Sequence, residues 1–388
     1  MTAKSRGFIY GCLVIAGLAI GLLVAFAQPY LSQVNLTALA SAPGFSDISV
    51  PPGFTINLFA KDLNGPRFIR FGPDGALYVA DRRSDRIVAL IDADRDGVAE
   101  SRRVFAEGLD NPHSLVSHQG AWYIGVPSGV IRLEDKDRDG LADKREVVID
   151  DYPTGGHSTR TVEFLPDGRM VVSVGSSCNV CEETDRRRAA VVVYDGATGR
   201  GEKIFASGLR NAVGLALHPE TGELWATNNG RDLLGDDLPP EAVYIVREGA
   251  DYGWPGCHNG SIEDPDFGGP GSCEGVAEPI INMQAHSAPL GLVFYTGESF
   301  PAEYRGDLFI AFHGSWNRSV PTGYKVVRLP LEGSQPSGPL EDFATGWLDP
   351  ASGKVSGRPV GLAVGPEGAL YVSDDKAGMI YRISYSGL

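Results

Sequence analysis

The stretch FIRFGPDGALYVAD (68–81) decides the fold: an apolar pair, a Gly-Pro-Asp-Gly turn, then a strand in which apolar and small residues alternate before a closing carboxylate. The phrase returns as HSLVSHQGAWYIGV (113–126), TVEFLPDGRMVVSVGS (161–176), GLALHPETGELWATNNG (214–230), GLVFYTGESFPAEYRGDLFIAFHG (291–314) and GLAVGPEGALYVSDD (361–375). A period of two with turn chemistry at its centre predicts an antiparallel strand pair in each of these six copies. Between copies lie further strand-like runs, at 86–91, 191–194, 242–247 and 324–329. Four strands per unit, repeated radially, predict an all-β six-bladed propeller. No segment after residue 45 shows sustained helical periodicity, and no linker divides the repeats, so residues 46–388 form one domain.

The chain of 388 residues carries 50 Gly and 26 Pro, which fits many tight turns, and a net charge of -15, which argues against nucleic acid as a partner. Lys4 and Arg6 precede an uncharged apolar run to Ala27. Residues 1–28 therefore predict an N-terminal hydrophobic helix, either a cleaved signal peptide ending at Ala25-Phe26-Ala27 or a membrane anchor over 8–27. Residues 29–45 follow as a tether. Both readings put the domain in a periplasmic or extracytoplasmic space, touching membrane only through that segment. Cys12 lies in the apolar run, leaving four cysteines as an even set for two disulfides, Cys178–Cys181 and Cys257–Cys273. The alternative for Cys178 and Cys181, half of a zinc site, lacks its second half.

Two acidic loops share one pattern. Asp92, Asp94, Asp96 and Glu100 surround Gly97, and Asp135, Asp137, Asp139 and Asp143 surround Gly140, 43 residues on. Alternate carboxylates about a glycine turn converge oxygens as calcium loops do, and the competing reading is a solvated acidic hairpin. The second group sits where each copy begins. His157 in GGHSTR precedes the third copy, Arg210 and Asn211 in GLRN the fourth, and Arg358 in GRPVG the sixth, with Arg67 and His113 equivalent in the first two. In a propeller these positions share one mouth of the central channel. An imidazole there can act as a general base, and guanidiniums favour a small anion, although each Arg can equally pair with a neighbouring Asp. The loop with Asn228, Asn229, Gly230, Arg231, Asp232, Gly235, Asp236 and Asp237 offers carbonyls, amides and carboxylates for a cation. His286, His313, Trp316 and Arg318 add aromatic and donor groups in the fifth copy.

Taken in order, GGHSTR, VGSSCNVCEE, GLRN, NNGRD with GDD, YGWP (252–255), AHSAPLG, HGSWNR and GRPVGL resemble the glucose/sorbosone dehydrogenase family over roughly residues 45–385. The resemblance implies a six-bladed propeller that binds pyrroloquinoline quinone (PQQ) and calcium at the channel mouth and oxidises a sugar, sugar aldehyde or polyol by hydride transfer to the quinone. It implies His157 as the base, Arg210 and Asn211 beside the quinone, Asn229 as a polar cofactor contact, Arg358 as partner of a cofactor carboxylate, and the carbonyls of Gly230 and Arg231 as calcium ligands. The family's fifth-blade lysine has no counterpart here, so Arg318 or His313 takes its place, and HGSWNR looks closer to the sorbosone and pyranose dehydrogenase members. Electrons then pass to an external acceptor. Two readings compete: a calcium-dependent lactonase-like hydrolase on the same scaffold, and a non-catalytic binding propeller.

Overall fold

The computed structural model describes residues 47–387. The predicted leader and the whole of the tether, with Cys12, lie outside the described residues. Each of the six repeats forms the inner half of a four-stranded antiparallel sheet. The innermost strands are Pro66–Phe71, Ser114–His118, Arg160–Phe164, Leu215–Leu217, Pro289–Phe294 and Pro359–Val364, and they define blades 1 to 6. The sequence-predicted third strands appear as Arg86–Ile91, Ala190–Tyr194, Glu241–Val246 and Lys325–Leu329, within a residue of the expected bounds.

One strand has no counterpart in the repeat pattern. Phe54–Ala60 forms the outermost strand of blade 6, running antiparallel to Met379–Tyr385 with Phe54 opposite Tyr385. The N-terminal strand thus closes the ring against the C-terminal one.

Inner strands are buried on both faces because neighbouring blades cover them, which is why Leu77–Asp81 and Leu308–Phe312 are buried throughout. Large side chains fill the wedge between blades. Tyr78 of blade 1 packs on Trp122 of blade 2 with ring centres 4.5 Å apart, and Trp225 and Trp347 are fully buried. Near the axis the wedge narrows until only small residues fit. A Cβ on Gly214 would come within 2.1 Å of the Leu290 carbonyl oxygen, so that position excludes every larger residue. Hydroxyls pin the blades together here: Ser114 donates to the Arg160 carbonyl at 2.8 Å, Thr227 to that of Leu290 at 2.7 Å and Ser373 to that of Arg67 at 2.5 Å.

The antiparallel order sends functional loops to defined ends. Residues that precede an innermost strand, and those that follow the second strand, lie at one mouth of the channel. The acidic loops connect third and fourth strands in blades 1 and 2, and therefore lie on the opposite face. No helix among the described residues is long and apolar enough to cross a membrane.

Candidate active site

His157 sits in the loop before the blade 3 inner strand, held by the segment that follows the second strand of the same blade. Its backbone N–H donates to the Ser176 carbonyl at 2.9 Å. Its Nδ1 lies 3.1 Å from that same carbonyl oxygen and 2.9 Å from Ser176 Oγ. Since Ser176 Oγ donates to the Cys178 carbonyl at 2.7 Å, both groups facing Nδ1 act as acceptors, so Nδ1 carries the proton and Nε2 the lone pair. Burial, reinforced by the Arg210 guanidinium, lowers the imidazole pKa to about 4. A neutral ring with a free Nε2 has the chemistry of a base at neutral pH. Gly175 makes room for it, because a Cβ there would fall 2.5 Å from His157 Cβ and 2.7 Å from Asn211 Oδ1.

Arg210 is buried beside this base and is less free than its sequence position suggests. Nε and Nη2 donate to the backbone and side-chain oxygens of Asn179, both at 2.9 Å, Nη2 also to Asp232 at 2.8 Å, and Nη1 to the Asn229 carbonyl at 3.3 Å. The anticipated competition from a neighbouring Asp is thus realised in part, and one N–H on Nη1 stays without an acceptor among the described residues. Asn229 donates its side-chain amide to the Pro289 carbonyl at 2.6 Å, tying blade 4 to blade 5. Gly230 donates its N–H to the buried Glu241 carboxylate at 2.6 Å, which also accepts from Ala288 N–H at 3.2 Å. Burial raises the Glu241 pKa to about 7.

From Ala288 the contacts continue to blade 6. His313 N–H donates to the Ala288 carbonyl at 2.9 Å, and Arg358 donates to the carbonyls of His313 at 3.0 Å and Gly314 at 2.7 Å. Arg358 makes no ion pair among the described residues, so its charge is uncompensated at the mouth. The ring closes through His313 Nε2, 2.9 Å from Asp375, whose other oxygen accepts from Arg67 at 2.7 Å, while Arg67 Nε donates to His113 at 3.3 Å. Burial, with Arg358 nearby, lowers the His313 pKa to about 4.

The structure therefore brings His157, Arg210, Asn211, Asn229, Gly230, Arg358 and His313 into one connected set at one mouth. The rest of the fifth-blade loop is engaged with its surroundings. His286 Nε2 lies 2.8 Å from the Gly235 carbonyl and its Nδ1 3.2 Å from Asn317, while Arg318 donates to the Asp236 carbonyl and, at 3.0 Å, to Asp237. Neither His313 nor Arg318 is a free substitute for the missing lysine, as each is partnered by a carboxylate. Trp316 is 42% exposed. The Arg231 side chain turns away to Asp264 and Asp266. Sequence reasoning missed Asn179, Glu241 and Asp375 and read Asp232 only as one carboxylate of the cation-holding loop, because their roles come from contacts between segments far apart in the chain. It also missed Arg188, which donates to the carbonyls of Pro153, Thr154, Gly155 and Gly175 around the His157 loop.

Both predicted disulfides form, so Cys178 and Cys181 are cross-linked rather than half of a zinc site. In the acidic loops, oxygens of Asp92, Asp94, Asp96 and Glu100 lie within 4.8 Å of one another, as do those of Asp135, Asp137 and Asp143, with Asp139 outside the second group. In both loops the first Asp accepts from the glycine N–H with one oxygen, at 3.0 Å for Gly97 and 2.9 Å for Gly140, while the other is buried without a partner.

The donor set at the mouth fits an anionic quinone held with a hard cation: an unpaired guanidinium at Arg358, a spare N–H on Arg210, a lone pair on His157, and carbonyls of Gly230 and Arg231 that accept no hydrogen bond among the described residues.

A family model described as a domain of unknown function (DUF7133) matches residues 42–382. An uncharacterized protein of Borreliella burgdorferi is 28% identical over 91% of the chain and 94% of its own length. A pyrroloquinoline quinone-dependent pyranose dehydrogenase of Coprinopsis cinerea is 27% identical over 87% of the chain. The chain spans only 54% of that enzyme's length. The solved PQQ domain of the Coprinopsis cinerea pyranose dehydrogenase, in its holo form, superposes with a TM-score of 0.77 at 22% identity, covering 89% of this chain and 98% of its own, so the fold is shared.

Proposed function

The chain belongs to the DUF7133 family, and from that premise we propose that it oxidises a hydroxyl of a sugar, sugar aldehyde or polyol with PQQ and calcium. The observation that carries this reading is the His157 ring, anchored through Nδ1 on Ser176 with no partner for Nε2 among the described residues, in one hydrogen-bonded set that also presents Arg358 without an ion pair. Support comes from the motif resemblance and from the curated relative that uses this cofactor on pyranoses.

When bound, PQQ supplies a two-electron acceptor and calcium a Lewis acid. Arg358 would pair with a cofactor carboxylate, and the carbonyls of Gly230 and Arg231 would hold the cation. Glu241, by fixing the N–H groups of Gly230 and Ala288, aligns that turn against blade 5. Nε2 of His157 accepts the proton of the substrate hydroxyl, while Nδ1 stays bonded to Ser176 and keeps the ring in one orientation. The spare Nη1 N–H of Arg210 donates to negative charge developing beside it, and Asn211 and Asn229 line the same wall. His286, His313, Trp316 and Arg318 shape the fifth-blade rim, where the substrate enters. Electrons leave to an external acceptor. The acidic loops on the far face serve a separate, structural calcium role, consistent with the orphaned oxygens of Asp92 and Asp135.

The test is direct: add calcium and PQQ to the purified protein, and measure cofactor uptake together with dye reduction by a panel of aldoses and sorbosone. Uptake with turnover supports the reading. No uptake removes it, and uptake without turnover on any sugar leaves a binding propeller.

A further inference from the structure

Between the base and the guanidinium runs one short segment that the reaction itself does not use. It begins where the blade 3 strand Met170–Val174 ends and carries Ser176, Cys178, Asn179 and Cys181, the two cysteines being joined. Ser176 contacts His157 through its carbonyl and its hydroxyl, and its own N–H donates to the Arg210 carbonyl at 2.8 Å. Three residues on, Asn179 grips Arg210 and Asp232 together. Its backbone oxygen accepts from Arg210 Nε, its Oδ1 accepts from Arg210 Nη2 at 2.9 Å and from Asp232 N–H at 2.8 Å, and its Nδ2 donates to the Asp232 carbonyl at 3.0 Å. Two donors face Oδ1 and one acceptor faces Nδ2, so the amide can stand only one way round.

One set of contacts, at Ser176, lies just before the four-residue loop Cys178–Cys181 and the other, at Asn179, lies within it, and no strand ladder supports that loop. Besides the disulfide and the Asn179 contacts, the loop is held by the Ser176 hydroxyl on the Cys178 carbonyl and by Ser177 N–H on Glu183 at 2.6 Å. Opening the cross-link returns backbone freedom to the residues that register His157 against Arg210. The same cross-link is reachable, since Cys178 and Cys181 are partly exposed while Cys257 is fully buried.

We propose that Asn179 is a positioning residue and that the Cys178–Cys181 disulfide completes the site: the base and the guanidinium hold their working registration only when the two sulfurs are joined. This rests on the proposed function for the role of His157, and its consequence is that the protein gains activity on oxidation of this pair rather than on folding alone. Reduction needs an external dithiol: dithiothreitol delivers two electrons and two protons, the S–S bond breaks to two thiols, and the reagent closes to its cyclic disulfide.

The experiment pairs mild dithiothreitol treatment, with alkylation and mass analysis to show which cysteines opened, with the double substitution Cys178→Ser/Cys181→Ser and, separately, Asn179→Ala. The first readout needs no cofactor: the titration midpoint of the His157 imidazole followed by NMR in the unloaded protein. The open-loop forms are expected to titrate about one pH unit or more above the oxidised protein, because the ring gains water and loses its fixed distance from Arg210. The second readout is kinetic, with kcat expected to fall about tenfold or more and KM to change little, and with reoxidation restoring the rate. An unmoved His157 midpoint in the double-serine protein, or full kcat in it, overturns the inference. Should the oxidised protein take up no PQQ, the functional reading fails while the NMR comparison still decides the positioning role. Should the double-serine protein not fold, Asn179→Ala and reversible reduction give the same two readouts.

Discussion

Arg67 and Asp375 stand 308 residues apart in the chain and 2.7 Å apart in space, joining blade 1 to blade 6 at the channel mouth. The same carboxylate receives His313, so one half-buried anion is shared by two blades' side chains. Burial alone would raise the Asp375 pKa, but His313 and Arg67 hold it well below the usual carboxylate range. Replacing Arg67 by Ala leaves that anion half-compensated, and a loss of about 3–5 kcal/mol is expected for breaking such a pair. Denaturant unfolding of Arg67→Ala checks this, and a change below about 1 kcal/mol, typical of an exposed pair, refutes it.

Acid should destabilise the protein before the carboxylates titrate. His157 and His313 have native values near 4, depressed by burial, against an unfolded value of about 6.5. Between those values the unfolded chain binds more protons than the native one. Stability from these imidazoles is therefore complete above about pH 6.5 and falls as pH drops towards 4. The urea midpoint from pH 8 down to 4 reports this directly, with His313→Asn flattening part of the slope.

With cofactor loaded, His157→Ala should lower kcat by about 10²–10⁴-fold, the range of a lost general base. Cofactor affinity should stay within about threefold, since the ring is assigned to the substrate and not to the quinone. Equilibrium titration beside steady-state kinetics separates the two, and an unchanged rate points to another base. In the unsubstituted enzyme kcat/KM should be flat through neutral pH and decline below about pH 5.

Arg358→Met should weaken PQQ binding by about tenfold or more, because its charge has no ion-pair partner among the described residues, while Arg358→Lys should recover part of the loss and Arg210→Lys should affect turnover more than affinity. Fluorescence quenching across a salt series provides the measurement. Insensitivity of affinity to Arg358→Met places the anion elsewhere.

Calcium at the acidic loops should raise the melting temperature of the cofactor-free protein by several degrees at saturating concentration. The double substitution Asp92→Asn/Asp135→Asn should abolish most of that rise, since each removes charge at the oxygen left unpartnered in its loop. An equal rise in both proteins, followed calorimetrically, assigns the effect to the channel mouth instead.

The blades were readable because strand alternation and a Pro-Asp-Gly or Pro-Glu-Gly turn coincide in three of the inner pairs, and local chemistry there matches tertiary need. The closing strand was not readable, as FTINLFA (54–60) borders no repeat copy and its partner is at the far end of the chain. The site divides the same way. His157, Arg210 and Arg358 announce themselves by recurring just before an inner strand. Glu241 reads as an ordinary strand start, and Asp232 as one more loop carboxylate. Their importance comes from which neighbour the ring delivers to them, and spacing within one blade carries no trace of that.

Because Phe54–Ala60 completes the same sheet as Met379–Tyr385, the sixth blade cannot assemble until residues 379–385 have been synthesised. Five sheets have all their strands before that point, yet the ring stays open until Met379–Tyr385 leaves the ribosome. A break near either end would thus spring the whole circle, whereas a permuted chain with its ends joined and a new opening at an exposed turn such as Gly75 would merely move the seam.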